Sequence, residues 1–117
     1  MQASDLEAAA THRMVQIVVV RISLASFELE RADEVEQRLA ESEHSLRSAI
    51  KKLAGNRGYY VGIDRKSGTM TNTSLWESLE SAQAMASLPE MLALRGAFEA
   101  LGVHFQTITN HDVLWRL

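Results

Sequence analysis

The architecture of this chain can be worked out from one run of eight residues, Thr69-Met70-Thr71-Asn72-Thr73-Ser74-Leu75-Trp76. Threonine is β-branched and suits a pleated sheet, so the run predicts a β-strand. Side chains alternate between the two faces of a strand, which sends the even-numbered residues to one face and the threonines to the other. One face therefore offers an amide, a hydroxyl and an indole, and we assign that face to the helix side of the sheet.

A strand and a helix are predicted in the N-terminal half of the chain. Residues 14–23 carry Val and Ile at both odd-numbered and even-numbered positions, which is typical of a central strand covered on both sides. Apolar residues then recur at helical spacing between Val35 and Leu53, which predicts an amphipathic helix. Asp33 and Glu36 have the spacing of a capping box at its start.

The remaining elements complete a known pattern. Residues 58–64 predict a strand that forms a hairpin with the quoted run through a glycine-containing turn. Ser78 can cap a short helix, Pro89 can begin a second helical piece, and residues 103–110 predict the last strand. The order β-α-β-β-α-β with a four-stranded antiparallel sheet is the split βαβ, or ferredoxin-like, pattern of the α+β class. Right-handed crossovers place both helices on one face, so we expect the bare apolar face to pair with a second copy as a homodimer.

Length and composition narrow the class of protein. The chain has 117 residues, which suits one domain, and we expect an N-terminal arm over residues 1–13 before a single domain over residues 14–117. The formal net charge of −3 argues against a nucleic-acid partner. The longest apolar run is too short to cross a bilayer, so no membrane role is expected. Without cysteine or a signal-peptide pattern, we expect a cytoplasmic protein.

Five features of the sequence occur together in one known family. They are the valine-rich first strand, the Gly58-Tyr59-Tyr60-Val61 strand, Ser74-Leu75-Trp76-Glu77-Ser78 leading into a helix, the single Pro89, and the Gly102-Val103 entry to the last strand. Over about residues 14–115 the chain therefore resembles the dimeric α/β barrel superfamily, and within it the antibiotic biosynthesis monooxygenase-like family. The resemblance implies a dimeric α/β barrel.

The resemblance also implies a chemistry. Cofactor-free members of the family use an asparagine four residues before a tryptophan to activate a phenol towards oxygen, and Asn72 and Trp76 stand at that spacing. A tyrosine that assists in some members would fall near Ala82 and is missing here. The haem-degrading branch needs a histidine on the following helical segment, and residues 79–101 contain none. The resemblance therefore implies a cofactor-independent monooxygenase-like protein acting on a small aromatic or polyketide-like compound, and no cofactor is expected.

Asn72 and Trp76 are the candidate catalytic residues. Their α-carbons are about 13 Å apart on one strand face, at ~3.3 Å per residue, so the two side chains can bracket a planar ligand. The amide can donate to a developing phenolate oxygen, and the indole can stack on the ring. The alternative interpretation is that Trp76 anchors the core and Asn72 bonds a backbone group.

Five further residues are candidates for substrate binding. Tyr59 and Tyr60 point to opposite faces of their strand, and the register decides which one lines a pocket; we take Tyr60. The proposed wall of the pocket is formed by adaptable and aromatic side chains, namely Met70, Met85 and Phe98. His104 on the last strand could act as a base or lie exposed. Because the four histidines are scattered and lack a paired i, i+4 spacing, we expect no metal site. The competing hypothesis is a non-catalytic dimeric module that binds a small ligand or a partner.

Overall fold

A computed structural model describes residues 17–117. The arm predicted over residues 1–13 lies outside the described residues, as does the start of the first predicted strand. The described elements are β1 (Val19–Ser26), α1 (Ala32–Lys51), β2 (Asn56–Asp64), β3 (Thr69–Trp76), α2 (Leu79–Gln83), α3 (Pro89–Ala100), β4 (His104–Phe105) and β5 (Thr109–Asp112).

The strands form one antiparallel sheet in the order β2-β3-β1, with β4 and β5 both pairing along the outer edge of β1. The predicted α+β ferredoxin-like fold is confirmed. The last strand differs in detail from the prediction, because pairing is interrupted over residues 106–108 and resumes as far as Asp112. The backbone N–H of Gln106 still donates to the Leu24 carbonyl at 2.9 Å, and this bond holds the interrupted segment against β1.

The capping box predicted at the start of α1 is not formed. The helix follows directly from a 3₁₀ turn over Leu29–Arg31, and no side chain caps it. Asp33 and Glu36 are already inside the helix, where both carboxylates bind Arg65 in the β2–β3 turn. The two acidic residues therefore attach the helix to the hairpin and do not cap the backbone.

The helical segment after β3 is broken as predicted. The Ser78 hydroxyl accepts the Ser81 amide at 3.1 Å and caps α2. α2 passes into a 3₁₀ turn that ends at Ser87, and Leu88 is extended because a residue before proline disfavours the helical conformation. Pro89 then occupies the first turn of α3, where its missing N–H has no cost.

The core between the sheet and the helices is divided into two apolar clusters. One cluster surrounds Met70 and Phe98 and the other surrounds Trp76 and Met85. Leu94 on α3 packs against both. The division is significant because the stretch of sheet between the clusters carries polar side chains, and this stretch is the floor of the site described next.

Candidate functional site

Strand pairing sets the side chains of the helix side of the sheet in rows. The row through Met70 is apolar, and the row through Trp76 has Trp76 and Val19 at its centre with Asn56 and Asp112 at its ends. The apolar members of the two rows belong to the two clusters. Two rows lie between them, and together they form a polar band. Its members are Tyr59, Ser74, Arg21 and Asn110 in one row, and Val61, Asn72 and Ser23 in the next.

The polar band is buried at its centre. Within residues 17–117, the buried polar side chains are Arg21, Ser23 and Ser74, and all three belong to the band. A sheet face covered by helices normally carries apolar residues, because burying polar groups is unfavourable unless they are hydrogen-bonded. The concentration of polar groups on the helix side therefore calls for an explanation other than packing.

A cavity of about 130 Å³ lies above the polar band. The sheet contributes Asn72, Arg21 and Tyr59 to its lining, and α3 contributes mainly apolar side chains. The predicted residues Met70, Met85 and Phe98 also line it. An engineered protein cavity of about 150 Å³ binds benzene, so this space has the size of a single aromatic ring.

A groove of about 610 Å³ adjoins the cavity between α1 and β2. Four side chains line both spaces and form the wall between them: Leu39, Leu46, Tyr59 and Val61. The cavity and the groove are therefore neighbouring spaces on the two sides of these side chains.

Asn72 is available to a ligand. Its amide lines the cavity, and it makes no side-chain hydrogen bond with any of residues 17–117. No fully buried side-chain nitrogen or oxygen of that part of the chain lacks a partner, so the Asn72 amide must reach accessible space. The predicted alternative, a bond from Asn72 to a backbone group, is not what the structure has.

Tyr59 takes the place predicted for Tyr60. Tyr59 pairs with Ser74 and lines the cavity, whereas Tyr60 lies on the opposite face and is 64% exposed. The reason is a bulge in β2 at Arg57. Asn56 lies opposite Trp76 but Gly58 lies opposite Leu75, and continuing the first register would have placed Tyr60 opposite Asn72.

His104 also lies away from the cavity. It is exposed and pairs with Ser26, while its neighbour Phe105 pairs with Ala25 on the helix side and lines the cavity. His104 therefore does not line the cavity as predicted, because the alternation of side chains along β4 turns it to the other face of the sheet. Its alternative interpretation, an exposed histidine, agrees with the structure.

Trp76 is placed in the core. The side chain is 0% exposed, and its Nε1–H donates to the Ser74 hydroxyl at 2.7 Å. It belongs to the cluster with Leu46 and Ile50 and does not line the cavity. The structure thus brings Asn72 to the cavity and leaves Trp76 behind its lining. Leu46 and Met85 of the Trp76 cluster line the cavity, and Ser74, the hydrogen-bond partner of Trp76, is the neighbour of Asn72 on the same strand face.

The ionisable groups of the cavity are two arginines and a tyrosine. Burial raises the pKa of Tyr59 to about 12, so its phenol is a neutral hydrogen-bond donor at physiological pH. Burial lowers the pKa of Arg21, which nevertheless stays charged. No Asp, Glu or His of residues 17–117 lines the cavity, and that part of the chain holds no cluster of three or more potential metal ligands.

The three ionisable residues of the lining were not among the predicted site residues: Arg21, Tyr59 and Arg95. Arg21 carried a usable signal, because a charged residue interrupts a run of Val and Ile in a strand expected to be covered on both sides. Arg95 carried none, since an arginine on an exposed helix is ordinary. Its guanidinium carbon lies 4.8 Å from the centre of the Phe105 ring.

Comparison with known proteins places the fold. No family model matches the chain, and no curated protein matches it in sequence. A solved structure of a candidate antibiotic biosynthesis monooxygenase from Deinococcus radiodurans matches with a TM-score of 0.67 and 22% identity, over 85% of this chain and 95% of that one. The chain has the fold of the antibiotic biosynthesis monooxygenase-like proteins.

Two other structures add to this comparison. A dimeric ferredoxin-like protein from an uncultured marine organism has a TM-score of 0.65 and 13% identity, over 88% of this chain and 93% of that one. A Streptomyces coelicolor monooxygenase in complex with nanaomycin D has a TM-score of 0.61 and 12% identity, over 86% and 88% of the two chains. At these identities the likeness concerns the fold.

None of the helices of residues 17–117 combines the length and the apolar character that crossing a bilayer requires.

Proposed function

We propose that this protein is a cofactor-independent monooxygenase that acts on a small aromatic or polyketide-like compound in the cavity between sheet and helices. The observation that carries the proposal is that the side-chain amide of Asn72 makes no hydrogen bond with residues 17–117 and faces a ring-sized cavity with apolar walls. The fold shared with antibiotic biosynthesis monooxygenase-like structures supports the reaction type.

The reaction we propose needs only the substrate and dioxygen. A phenol or enol loses a proton, and the resulting anion transfers electrons to O₂ and combines with it at carbon. The ring CH that reacts is thereby converted to a carbonyl, and the hydroxyl carbon also becomes a carbonyl. The hydrogen of that CH and the hydroxyl proton leave with the second oxygen atom as water, and all four electrons come from the substrate. Asn72 would donate a hydrogen bond to the substrate oxygen that becomes anionic, which stabilises charge where it develops.

The surroundings of Asn72 assign roles to the other cavity residues. Met70, Met85 and Phe98 would hold the ring, and the neutral Tyr59 phenol would donate a second hydrogen bond. Since the described lining contains no carboxylate or histidine, the substrate proton would leave to water through the groove. Trp76 would act as a positioning residue by fixing the Ser74 hydroxyl beside Asn72.

Oxygen consumption over a panel of hydroquinones and anthrones tests this function. We expect uptake by the wild type and a loss of about 10²-fold or more in kcat for Asn72→Ala, the size found when one oxyanion-stabilising donor is removed. Gln37→Ala is the matched control, because it removes an amide from the exposed face of α1. No uptake with any substrate, or equal kcat in Asn72→Ala, would reject the proposal.

Trp76→Phe tests the positioning role separately. We expect a lower kcat at unchanged KM for the folded fraction, since Ser74 loses its fixed orientation while the cavity walls stay in place. A change confined to thermal stability would show that Trp76 only packs the core.

The burial of Trp76 favours a second candidate function, a dimeric module that binds a small ligand without turnover. The indole cannot stack on a ligand from its observed position, and the described lining offers no general base. Binding of aromatic ligands in the cavity without any oxygen uptake would support this module over the enzyme.

We also propose that the protein is a homodimer through the bare face of the sheet. That face carries Ile22, Leu24 and Leu75 among threonines, and Leu24 is 42% exposed in the single chain. Packing two such faces together would bury them and close an α/β barrel. A dimeric protein of similar fold supports the arrangement. A cytoplasmic location remains part of the proposal, and fractionation of cells that express the protein would test it.

A further inference from the structure

The most unusual group in the cavity is the side chain of Arg21. It lies on the central strand β1, is only 7% exposed, and lines the cavity. Its one side-chain hydrogen bond within residues 17–117 goes from Nη1 to Asn110 Oδ1 at 3.5 Å, beyond the usual range for such bonds. A buried guanidinium is normally paired with a carboxylate, because an isolated buried charge is unfavourable by several kcal/mol.

No described residue supplies the missing negative charge. The sheet and the helices present two other ionisable groups to the cavity, Tyr59 and Arg95, of which one is neutral and the other positive. Arg95 already faces Glu99 on α3, with Nε and Oε2 3.8 Å apart. The cavity is thus positively charged in a protein whose formal net charge is −3.

Arg21 and Asn72 are placed to hold the same ligand. Arg21 pairs with Ser74 and Asn72 pairs with Ser23, so the two residues are diagonal neighbours on adjacent strands. Diagonal neighbours of an antiparallel pair have α-carbons about 7–8 Å apart, within reach of a long side chain. A guanidinium binds two oxygens of one acid group side by side, and an amide beside it can donate a further hydrogen bond.

We propose that the cavity selects a compact aromatic ligand that carries an anionic oxygen, and that this oxygen supplies the missing counter-ion of Arg21. The inference rests on the proposed function for its site but not on turnover. Two sources share this chemistry, a carboxylate on the ring and the phenolate of the ring itself. Either one would place the charge between Arg21 and Asn72 and the ring against the apolar wall.

Calorimetric titration with benzoate and with its neutral analogue benzamide tests the carboxylate source. The wild type should prefer benzoate by about tenfold or more, because a hydrogen bond to a charged group is stronger than one to a neutral group. Arg21→Met should abolish the preference, and Arg21→Lys should keep part of it, since lysine retains the charge but not the fork. Arg38→Met, which removes an exposed arginine from α1, should leave it unchanged.

Absorption of a nitrophenol tests the phenolate source, because its visible band reports the ionised form. Binding to the wild type at a pH below the midpoint of the free nitrophenol should increase the ionised fraction, and Arg21→Met should remove the increase. Benzoate preference alone identifies a carboxylate ligand, and increased ionisation alone identifies a phenolate. If neither effect occurs, or if both survive Arg21→Met, the inference is overturned.

The stability of the ligand-free variants separates a binding role from a structural one. If Arg21 exists for a ligand, Arg21→Met should keep or raise the Tm, since an unpaired buried charge is replaced by an apolar chain of similar length. A large fall in Tm for both Arg21→Met and Arg21→Lys would show a structural role and reject the inference. Anion selectivity without oxygen uptake would reject the monooxygenase alone. Oxygen uptake with equal affinity for neutral and anionic ligands would reject this inference alone.

Discussion

The indole of Trp76 and the hydroxyl of Ser74 form a fully buried pair, with Nε1 and Oγ 2.7 Å apart and both side chains 0% exposed. The two residues are on one face of β3, and Ser74 stands between Trp76 and Asn72. The pair therefore connects the packed core to the strand position next to Asn72, which lines the cavity.

Removing the Ser74 hydroxyl should destabilise the fold, because its hydrogen-bond donor, Trp76, stays buried. We expect Ser74→Ala to lower the free energy of unfolding by about 1–3 kcal/mol, because the Trp76 N–H would be buried without an acceptor. Chemical denaturation of Ser74→Ala, Trp76→Phe and the double variant gives the coupling energy. Strictly additive effects would mean that the hydrogen bond contributes nothing to stability.

The turn between β2 and β3 depends on a glycine. Gly68 has φ of +69°, and a Cβ at this position would lie 2.6 Å from the Phe27 carbonyl oxygen. We expect Gly68→Ala to destabilise the protein by about 1–3 kcal/mol, the usual cost of strained backbone.

A second glycine provides the matched control for Gly68. Gly96 lies within α3, and a Cβ there would meet nothing within 4 Å. Gly96→Ala should therefore stabilise the protein by about 0.5–1 kcal/mol. Thermal denaturation of both variants measures the contrast, and equal shifts in Tm would contradict it.

Tyr59 should make stability depend on pH in the alkaline range. Burial raises its pKa from the ordinary value of 10.0 to about 12, so the folded protein favours the neutral phenol. The resulting stability is fully present below about pH 10 and is lost as pH rises towards 12. Denaturation curves across this range should show a decrease that Tyr59→Phe reduces and the exposed-face variant Tyr60→Phe retains. An identical decrease in Tyr59→Phe would assign it to other groups.

The homodimer should depend on the bare face of the sheet. Leu24 lies on that face, so Leu24→Asp should convert the dimer to a folded monomer, because a charge in an apolar interface has no partner. Leu79 on α2 is similarly exposed at 49% and lies outside the interface, so Leu79→Asp should remain dimeric. Light scattering at micromolar concentration measures both. A wild-type monomer would remove the dimer from the proposal.

Several parts of this molecule are determined locally, and the sequence alone predicted them. Alternation along residues 69–76 assigned Met70 and Trp76 to the helix side, because side-chain direction in a strand follows from its two-residue period. Pro89 marked the break between α2 and α3, because it cannot donate a backbone hydrogen bond within a helix. The hairpin and the order of elements were equally readable from turn residues and hydrophobic period.

The contents of the site were decided by contacts between distant segments. One bulged residue in β2 exchanged Tyr60 for Tyr59, because a shift of one residue turns every side chain to the other face. The packing of α1 enclosed Trp76 with Leu46 and Ile50, so a residue on the predicted face did not reach the cavity. The sequence placed Arg21 on a buried strand, but only the assembled sheet and helices enclosed its charge in a cavity without an acid from the described residues. The charge environment of Arg21 depends on the side chains that several distant segments place around it, and the sequence pattern of a single segment does not determine this.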